Sequence, residues 1–204
     1  MKIYCATSNP GKLREFQLTL KSEVEILPVP GLAGSVPPEE TGATFEANAT
    51  EKAIYYSCFC DGPVFADDSG LVVDALGGAP GVYSARYAGP AGDAEANNRL
   101  LLERMSGVSN RAARFVCVIA LARRGELLAT FRGEVKGTLT DESRGDGGFG
   151  YDPLFYYPPF GCTFGEAPLA DKMQVSHRAR ALVQLGEWLR GPASGLVEKI
   201  SSDG

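Results

Sequence analysis

The sequence lacks the features that would place it in a membrane or in a secretory pathway. Its longest hydrophobic run, Phe115 to Ala122, is far shorter than the roughly 20 residues that a membrane-crossing helix needs. The first residues show no basic segment followed by an apolar stretch, so no secretory signal is visible. We therefore expect a soluble, cytoplasmic protein with no membrane partner.

An excess of positive charge is also missing. The chain has 20 Lys and Arg residues against 25 Asp and Glu residues, which gives a net charge of −5. No global field would attract a polyanion, so we expect no nucleic-acid partner. If a small phosphate compound binds, its charge must be met locally by a metal ion, a few Lys or Arg side chains and backbone amides.

The five cysteines lack the paired CxxC spacing of a zinc site, and their odd number does not suit a disulfide framework. Cys58 and Cys60 could form a redox pair, but cysteines so placed near the end of a helix are more often buried or idle. We expect free thiols in a reducing compartment.

Strand and helix patterns are mixed along the 204 residues, a length that can close a sizeable core. The patterns predict strands or apolar runs at Lys2–Thr7, Val24–Val29, Pro63–Asp67, Leu71–Leu76, Arg114–Arg123 and Leu127–Val135. They predict helices from the turn at Pro10 through Lys21, at Thr44–Cys60, at Asp93–Met105 and from Ser176. The segment from Pro28 to Gly42 is predicted as a surface loop, and Arg124–Glu126 as a hairpin turn. These elements indicate an α/β fold with a mixed sheet.

A first motif lies where the first strand gives way to a helix. It consists of Thr7, Ser8, Asn9, Pro10, Gly11 and Lys12. Its hydroxyls, its amide and the first helical N–H groups can converge on an anion, and Lys12 adds a positive charge. The spacing is not that of a Walker A loop, so a P-loop NTPase is not supported. Helix capping by Asn9 and Pro10 would explain part of the motif without any ligand, and both interpretations stay open.

A second motif is the acidic pair Asp67-Asp68, which we expect at the end of an apolar strand. Two carboxylates so close are costly unless a cation or strong donors compensate them. Mg²⁺ suits one or two carboxylates combined with phosphate oxygens and waters, and Glu39 or Glu40 in the preceding loop could supply another ligand. The alternative is a turn in which an Asp caps the next segment.

His177 is the only histidine, so a His-rich metal site is excluded. A lone histidine is more often structural. Here, however, Lys172, Ser176 and Arg178 accompany it near the start of a helix, and such a polar, basic cluster suits ligand binding better than core packing.

Five strings occur in an order and at separations that resemble one known family. They are TSNPGK, EETG, FADDSGLVVDALGGAPGVYSARYAG, GGFGYDPLF and SHRARAL. The chain resembles the inosine triphosphate pyrophosphatases, also called deaminated-purine NTP pyrophosphatases, over nearly its whole length. The resemblance implies a single domain, residues 1–204, with two lobes around a long mixed β-sheet, a central nucleotide cleft and no linker. It also implies a homodimer that hydrolyses ITP, dITP and XTP to the monophosphate and pyrophosphate with Mg²⁺.

The resemblance also implies roles for individual residues. The triphosphate would be held by Thr7, Ser8, Asn9, Pro10, Gly11 and Lys12. Lys12 would also act in catalysis by stabilising the charge of the triphosphate. Glu39 and Asp68 would bind the metal, and Asp68 would be the general base or would orient the attacking water. Ser69 would contact substrate, and Phe149, Gly150, Tyr151, Asp152, Lys172, His177 and Arg178 would line the base pocket. A pyrophosphatase of other base specificity and a non-catalytic nucleotide sensor remain as rival functions, although a pure sensor gains little from carboxylates beside a triphosphate.

Overall fold

A computed structural model describes residues 2–20, 24–34 and 38–191. Over these residues the chain forms seven strands and five α-helices. The strands are β1 (Lys2–Cys5), β2 (Glu25–Pro28), β3 (Val64–Val73), β4 (Ala112–Arg123), β5 (Glu126–Leu139), β6 (Phe155–Tyr157) and β7 (Cys162–Thr163). The helices are α1 (Pro10–Leu20), α2 (Phe45–Ser57), α3 (Ala94–Arg104), α4 (Leu169–Val175) and α5 (His177–Arg190). No described helix is both long and apolar enough to cross a bilayer.

The seven strands form one mixed sheet in the order β2-β1-β3-β4-β5-β6-β7. Strand β1 is parallel to both β2 and β3, whereas β6 is antiparallel to β5 and β7. The predicted hairpin is confirmed: β4 and β5 are joined by Arg124 and Gly125, which both have positive φ, 51° and 83°. Positive φ at both central positions is the geometry of a tight two-residue hairpin turn. The α/β fold with a mixed sheet is confirmed.

Internal contacts divide the chain into two compact units. The first unit takes its described residues from 2–68, 117–133 and 178–191, and the second consists of 69–116 and 134–177. Each unit has its own hydrophobic core. The core of the first unit comprises Ile3, Cys5, Phe16, Leu20, Phe65, Cys117, Ile119, Leu121, Phe131, Ala181, Leu182, Leu185 and Leu189. The core of the second comprises Leu71, Val73, Leu101, Met105, Ala113, Phe115, Val135, Leu139, Tyr151, Leu154, Phe155 and Phe164.

Polar side chains fix where the first three helices begin. Asn9 Oδ1 accepts a hydrogen bond from the Lys12 N–H at 3.1 Å, with Pro10 at the first helical position of α1. Thr44 caps α2 and Asp93 caps α3 in the same way. Each cap satisfies a backbone donor that the helix itself cannot pair. The predicted helix starts are therefore confirmed, whereas Lys21, the predicted end of the first helix, lies outside the described residues.

The prediction that a strand ends at Asp67-Asp68 is wrong. Strand β3 continues from Val64 to Val73 through both carboxylates and through Ser69 and Gly70. The sequence pattern favours a turn because Asp and Gly are depleted in strands. The strand continues because both carboxylates find buried partners, described below, and because Gly70 lacks a side chain: a Cβ there would overlap Ser84 and the Gly81 carbonyl.

The final helix predicted from Ser176 is confirmed as α5, and a short helix that the pattern did not predict, α4, precedes it. Helix α4 ends at Val175, Ser176 is extended, and α5 begins at His177. The apolar side of α5 enters the core of the first unit as its pattern predicts, but Val183 is 50% exposed. All five cysteines are free thiols, as predicted.

Candidate active site

The loop between β1 and α1 is ordered by its own side chains. The Asn9 N–H donates to Thr7 Oγ1 at 3.2 Å, and Asn9 Oδ1 accepts from the Lys12 N–H. Ser8 and Asn9 are exposed. The capping interpretation of this motif is therefore confirmed. Its exposed polar groups at a helix N-terminus also have the character of an anion site, which stays a prediction.

Lys12, at the end of this loop, forms an ion pair with a buried carboxylate. Its Nζ lies 2.9 Å from Asp67 Oδ2. Burial alone would raise the pKa of Asp67, but the positive charges of Lys12, Arg178 and Lys52 lower it below its usual value. Asp67 is therefore an anion that holds Lys12 in place beside the loop.

Arg178 lies in the same cluster and is 2% exposed. Its guanidinium pairs with Glu15 of α1, and its Nε lies 3.8 Å from Asp67 Oδ2. Burial would lower the pKa of Arg178, but Glu15 and Asp67 raise it, so the guanidinium stays charged. Lys12 and Arg178 are thus paired with two buried carboxylates, one from α1 and one from β3.

Asp68 contacts a different set of residues, all from α2. Its Oδ2 accepts from Asn48 Nδ2 at 3.0 Å, and its Oδ1 lies 3.5 Å from Lys52 Nζ. Asn48 and Lys52 are four residues apart, so they share one face of the helix. Burial raises the pKa of Asp68, and the attraction of Lys52 and the Asn48 hydrogen bond offset only part of this effect.

The segment before α2 brings one more carboxylate to this group. Glu40 Oε1 lies 2.7 Å from Lys52 Nζ, and the charge of Glu40 adds to the raised pKa of Asp68. The Gly42 N–H donates to Asn48 Oδ1 at 2.8 Å, which fastens this segment to the helix. Glu39 is exposed. Of the two glutamates that the sequence offered, Glu40 is the one in contact with the Asp68 group.

In the second unit, the glycine-rich segment forms a loop around a buried ion pair. Asp152 Oδ2 accepts from Lys172 Nζ at 2.6 Å and from the Phe149 N–H at 2.8 Å. Lys172 Nζ also lies 5.1 Å from the centre of the Phe149 ring and 5.8 Å from that of Phe164. Both charged residues are buried, whereas Phe149 is half-buried.

Two further hydrogen bonds hold the same loop. The Tyr151 hydroxyl donates to the Ser84 carbonyl at 2.9 Å, and Asn98 Nδ2 donates to the Gly150 carbonyl at 3.0 Å. Burial raises the pKa of Tyr151 well above its usual value. Tyr151 therefore anchors the loop as a neutral phenol in the core of the second unit.

His177 is 3% exposed and its ring stacks on Phe115, with the ring centres 4.8 Å apart and the planes 13° apart. The Ser176 N–H donates to the Lys172 carbonyl at 2.9 Å. Ser69 is half-buried in β3, directly after Asp68. His177 is thus packed against an aromatic ring, and its role as a ligand-binding residue stays a prediction.

The predicted residues fall into two groups. The first unit contains Thr7, Ser8, Asn9, Pro10, Gly11, Lys12, Glu39, Asp68 and Arg178, and the second contains Ser69, Phe149, Gly150, Tyr151, Asp152, Lys172 and His177. Among the described residues, no three or more His, Cys, Asp or Glu side chains form a cluster that could hold a metal ion alone. A metal here would rely on one or two carboxylates together with ligand oxygens.

Sequence reasoning missed Glu15, Asn48, Lys52 and Asn98. The spacing of Asn48 and Lys52 on a predicted helix was visible, but polar residues at such spacing usually form an exposed face. Nothing in the sequence marked Glu15 as buried, because its partner Arg178 is 163 positions away. Long-range pairings of this kind are not readable from local patterns.

Comparison with known proteins identifies the family of this chain. The model of the Ham1 family matches residues 3–188. A dITP/XTP pyrophosphatase of Acidobacterium capsulatum is 50% identical over 192 residues, which cover 89% of this chain and 95% of that protein. One from Listeria monocytogenes is 45% identical over 203 residues and covers 98% of each chain. The structure of the Staphylococcus aureus Ham1 protein matches with a TM-score of 0.84 at 39% identity, over 94% of this chain and 99% of that one. The chain therefore belongs to the Ham1 family.

Proposed function

We propose that the protein hydrolyses the deaminated purine nucleoside triphosphates ITP, dITP and XTP to the monophosphate and pyrophosphate. Relatives that are 45–50% identical over most of the chain carry the name dITP/XTP pyrophosphatase. The observation that carries the proposal is the buried Asp68, held by Asn48 at 3.0 Å and by Lys52 at 3.5 Å. A carboxylate fixed in this way suits catalysis better than simple binding.

The triphosphate would be bound by the loop from Thr7 to Lys12. The N-terminus of α1 presents backbone N–H groups and a partial positive charge, which favour an anion. Lys12 Nζ, 2.9 Å from Asp67, is held where it can add its charge. Because the net charge of the whole chain is −5, such local positive groups have to supply the attraction.

The carboxylates also fit a magnesium site. Asp68 and one of the adjacent Glu39 and Glu40 would supply carboxylate oxygens, which are the donors that Mg²⁺ prefers. Glu40 lies in the Asp68 group through their shared contact with Lys52, whereas Glu39 is exposed, so we propose Glu40 for this role. A bound Mg²⁺ would neutralise phosphate charge and lower the pKa of a coordinated water.

In the proposed reaction, water attacks the α-phosphorus and pyrophosphate leaves. Asp68 would accept the proton of this water or orient it, and a raised pKa brings a carboxylate closer to the range in which it works as a base. Lys12 and Lys52 would stabilise the charge that develops on the phosphate oxygens.

The base would be recognised by groups that suit an oxygen at purine position 6. Phe149 offers a half-buried ring for stacking. We propose His177, Arg178 and backbone N–H groups near Phe149 as donors to the 6-oxygen. The 6-amino group of ATP would leave these donors unpaired. Such a mismatch can favour ITP over ATP by about 10⁴-fold. Guanine would have to be refused at its 2-amino group.

We also propose that the protein is a homodimer, as the sequence resemblance implies, and that it is cytoplasmic, as its free thiols suggest. Light scattering coupled to size-exclusion chromatography measures the mass of the assembly directly. A mass near that of a single 21.7 kDa chain would refute the dimer.

The decisive test of the function measures pyrophosphate release from ITP, XTP, dITP, GTP, ATP and dTTP, with Mg²⁺ and with EDTA. We expect Mg²⁺-dependent release from ITP, XTP and dITP, and far slower release from the other three. Efficient cleavage of dTTP or GTP would point to another base specificity, and binding without release would point to a nucleotide sensor.

A further inference from the structure

Asp152 and Lys172 form an ion pair that is buried in the second unit. The two residues are 2% and 1% exposed, and their charged atoms lie 2.6 Å apart. Removing two charges from water costs several kcal/mol, so a buried ion pair often adds little to stability compared with apolar residues of similar volume. The function of this pair should therefore be sought in what it holds in place.

The carboxylate of Asp152 holds the backbone of Phe149. Its Oδ2 accepts the Phe149 N–H at 2.8 Å in addition to the Lys172 ammonium. Gly148, at φ 72°, makes this approach possible, because a Cβ at that position would overlap the Asp152 carboxylate. The backbone on either side of Phe149 is thus shaped around one carboxylate oxygen.

The ammonium of Lys172 holds the ring of Phe149. Its Nζ lies 5.1 Å from the centre of that ring and 5.8 Å from the centre of Phe164, both within the range of a cation–π interaction. Phe164 is fully buried. Lys172 therefore links a half-buried ring to a fixed ring of the core.

We propose that Asp152 and Lys172 act on base recognition through Phe149, as positioning residues that fix the plane of its ring. This inference rests on the proposed function and deepens it. The resemblance assigns both residues to the lining of the base pocket, but their polar atoms are already engaged with each other and with Phe149. A ring fixed before binding loses less conformational freedom when a purine stacks on it, so the base binds more tightly.

A double-mutant cycle tests whether Lys172 acts through Phe149. The variants are Lys172→Met, Phe149→Ala and the two combined, and the measurements are KM and kcat for ITP. Loss of the cation should raise KM about tenfold with kcat nearly unchanged, and this effect should vanish in the Phe149→Ala background. The inhibition constant of inorganic tripolyphosphate, which has no base, should stay the same in all variants.

Two results would overturn the inference. If Lys172→Met raises KM equally with and without the Phe149 ring, then Lys172 contacts the base directly. If tripolyphosphate inhibition weakens in parallel, then the substitution disturbs the whole site. A wild-type protein that cleaves no purine triphosphate would refute both the proposed function and this inference, whereas an active wild-type protein with additive variants refutes the inference alone.

A second variant removes the risk that Lys172→Met leaves a buried charge and fails to fold. The double substitution D152N/K172M neutralises both partners, and an amide oxygen at position 152 can still accept the Phe149 N–H. Thermal unfolding shows whether this variant is folded. We expect it to keep kcat and to show the raised KM; a wild-type KM in the folded double variant would contradict a role for the Lys172 cation.

Discussion

Asp67 and Asp68 are adjacent in β3, but their environments displace their pKa values in opposite directions. Lys12, Arg178 and Lys52 overcome the effect of burial at Asp67 and lower its pKa, whereas at Asp68 the effect of burial is larger than that of Lys52 and Asn48. Successive side chains of a strand point to opposite faces, which is how neighbours reach different partners. Carboxylates separated in this way commonly have different roles. We propose that Asp67 positions the neighbouring cations and that Asp68 takes part in the chemistry.

Asp68→Asn should lower ITP turnover by far more than tenfold and leave the protein folded. Tenfold corresponds to about 1.4 kcal/mol of activation free energy, which is too little for loss of a general base or a metal ligand. The measurement is pyrophosphate release under saturating ITP, with circular dichroism to monitor folding. Asp74→Asn, at a half-exposed ion pair with Arg114, is the matched control and should keep wild-type turnover. Asp68→Asn turnover within tenfold of wild type would refute the assignment.

Glu40→Gln should impair turnover more than Glu39→Gln. Glu40 contacts Lys52 at 2.7 Å, whereas Glu39 is exposed, and the two substitutions change the net charge equally. The concentration of Mg²⁺ that gives half-maximal activity should rise for Glu40→Gln and stay near wild type for Glu39→Gln. The opposite ranking would return the metal-binding role to Glu39.

Glu15→Ala should destabilise the protein by about 3 kcal/mol, because it removes a partner of the buried Arg178 charge. This loss lies at the lower end of the range for breaking a buried ion pair, because Asp67 remains 3.8 Å from the Arg178 Nε. Urea unfolding measures the change as a shift of the midpoint at constant slope. Gln17→Ala, at an exposed position of the same helix, should lower the free energy of unfolding by much less. Equal losses would mean that the pairing of Glu15 with Arg178 adds no stability of its own.

Glu166 should stabilise the protein in a pH-dependent way. The Thr163 N–H donates to its carboxylate at 2.8 Å and holds the pKa of Glu166 below its usual value. A lowered folded-state pKa stabilises the protein above the unfolded pKa, about 4.3, and this stabilisation is lost as the pH falls through the folded value. The Tm advantage of wild type over Glu166→Gln should therefore be present at pH 7 and shrink below about pH 4.3. Glu51→Gln, at an exposed position of α2, controls for net charge; an advantage that grows towards low pH would contradict the argument.

The sequence predicted those elements whose signals are local. Thr44 and Asp93 mark helix starts by their capping chemistry, and the Arg124-Gly125 turn marks the hairpin, so these features are found where the pattern predicts them. The local pattern predicts the end of β3 wrongly at Asp67, because the charges that allow a buried strand to continue come from other elements, α1 and α2.

The candidate site was predictable in its motifs and not in its pairings. The strings around Asp68 and Phe149 identified residues that the structure places among buried charges and rings. That Asp152 pairs with Lys172, or Arg178 with Glu15, depends on contacts 20 and 163 positions apart. A charged side chain whose partner is unknown is expected at the surface. The burial of these four residues therefore contradicts what their sequence positions alone suggest.

The core of the first unit can be completed only after helix α5, near the end of the described chain, has been synthesised. Four members of that unit's core, Ala181, Leu182, Leu185 and Leu189, belong to this helix. During synthesis these residues leave the ribosome after every other member of the same core, so that core is completed last. A nascent chain that has reached His177 already contains every residue of the second unit, while the first unit still exposes apolar surface that α5 will cover. Chaperones that recognise exposed apolar surface should therefore engage the first unit for longer during translation.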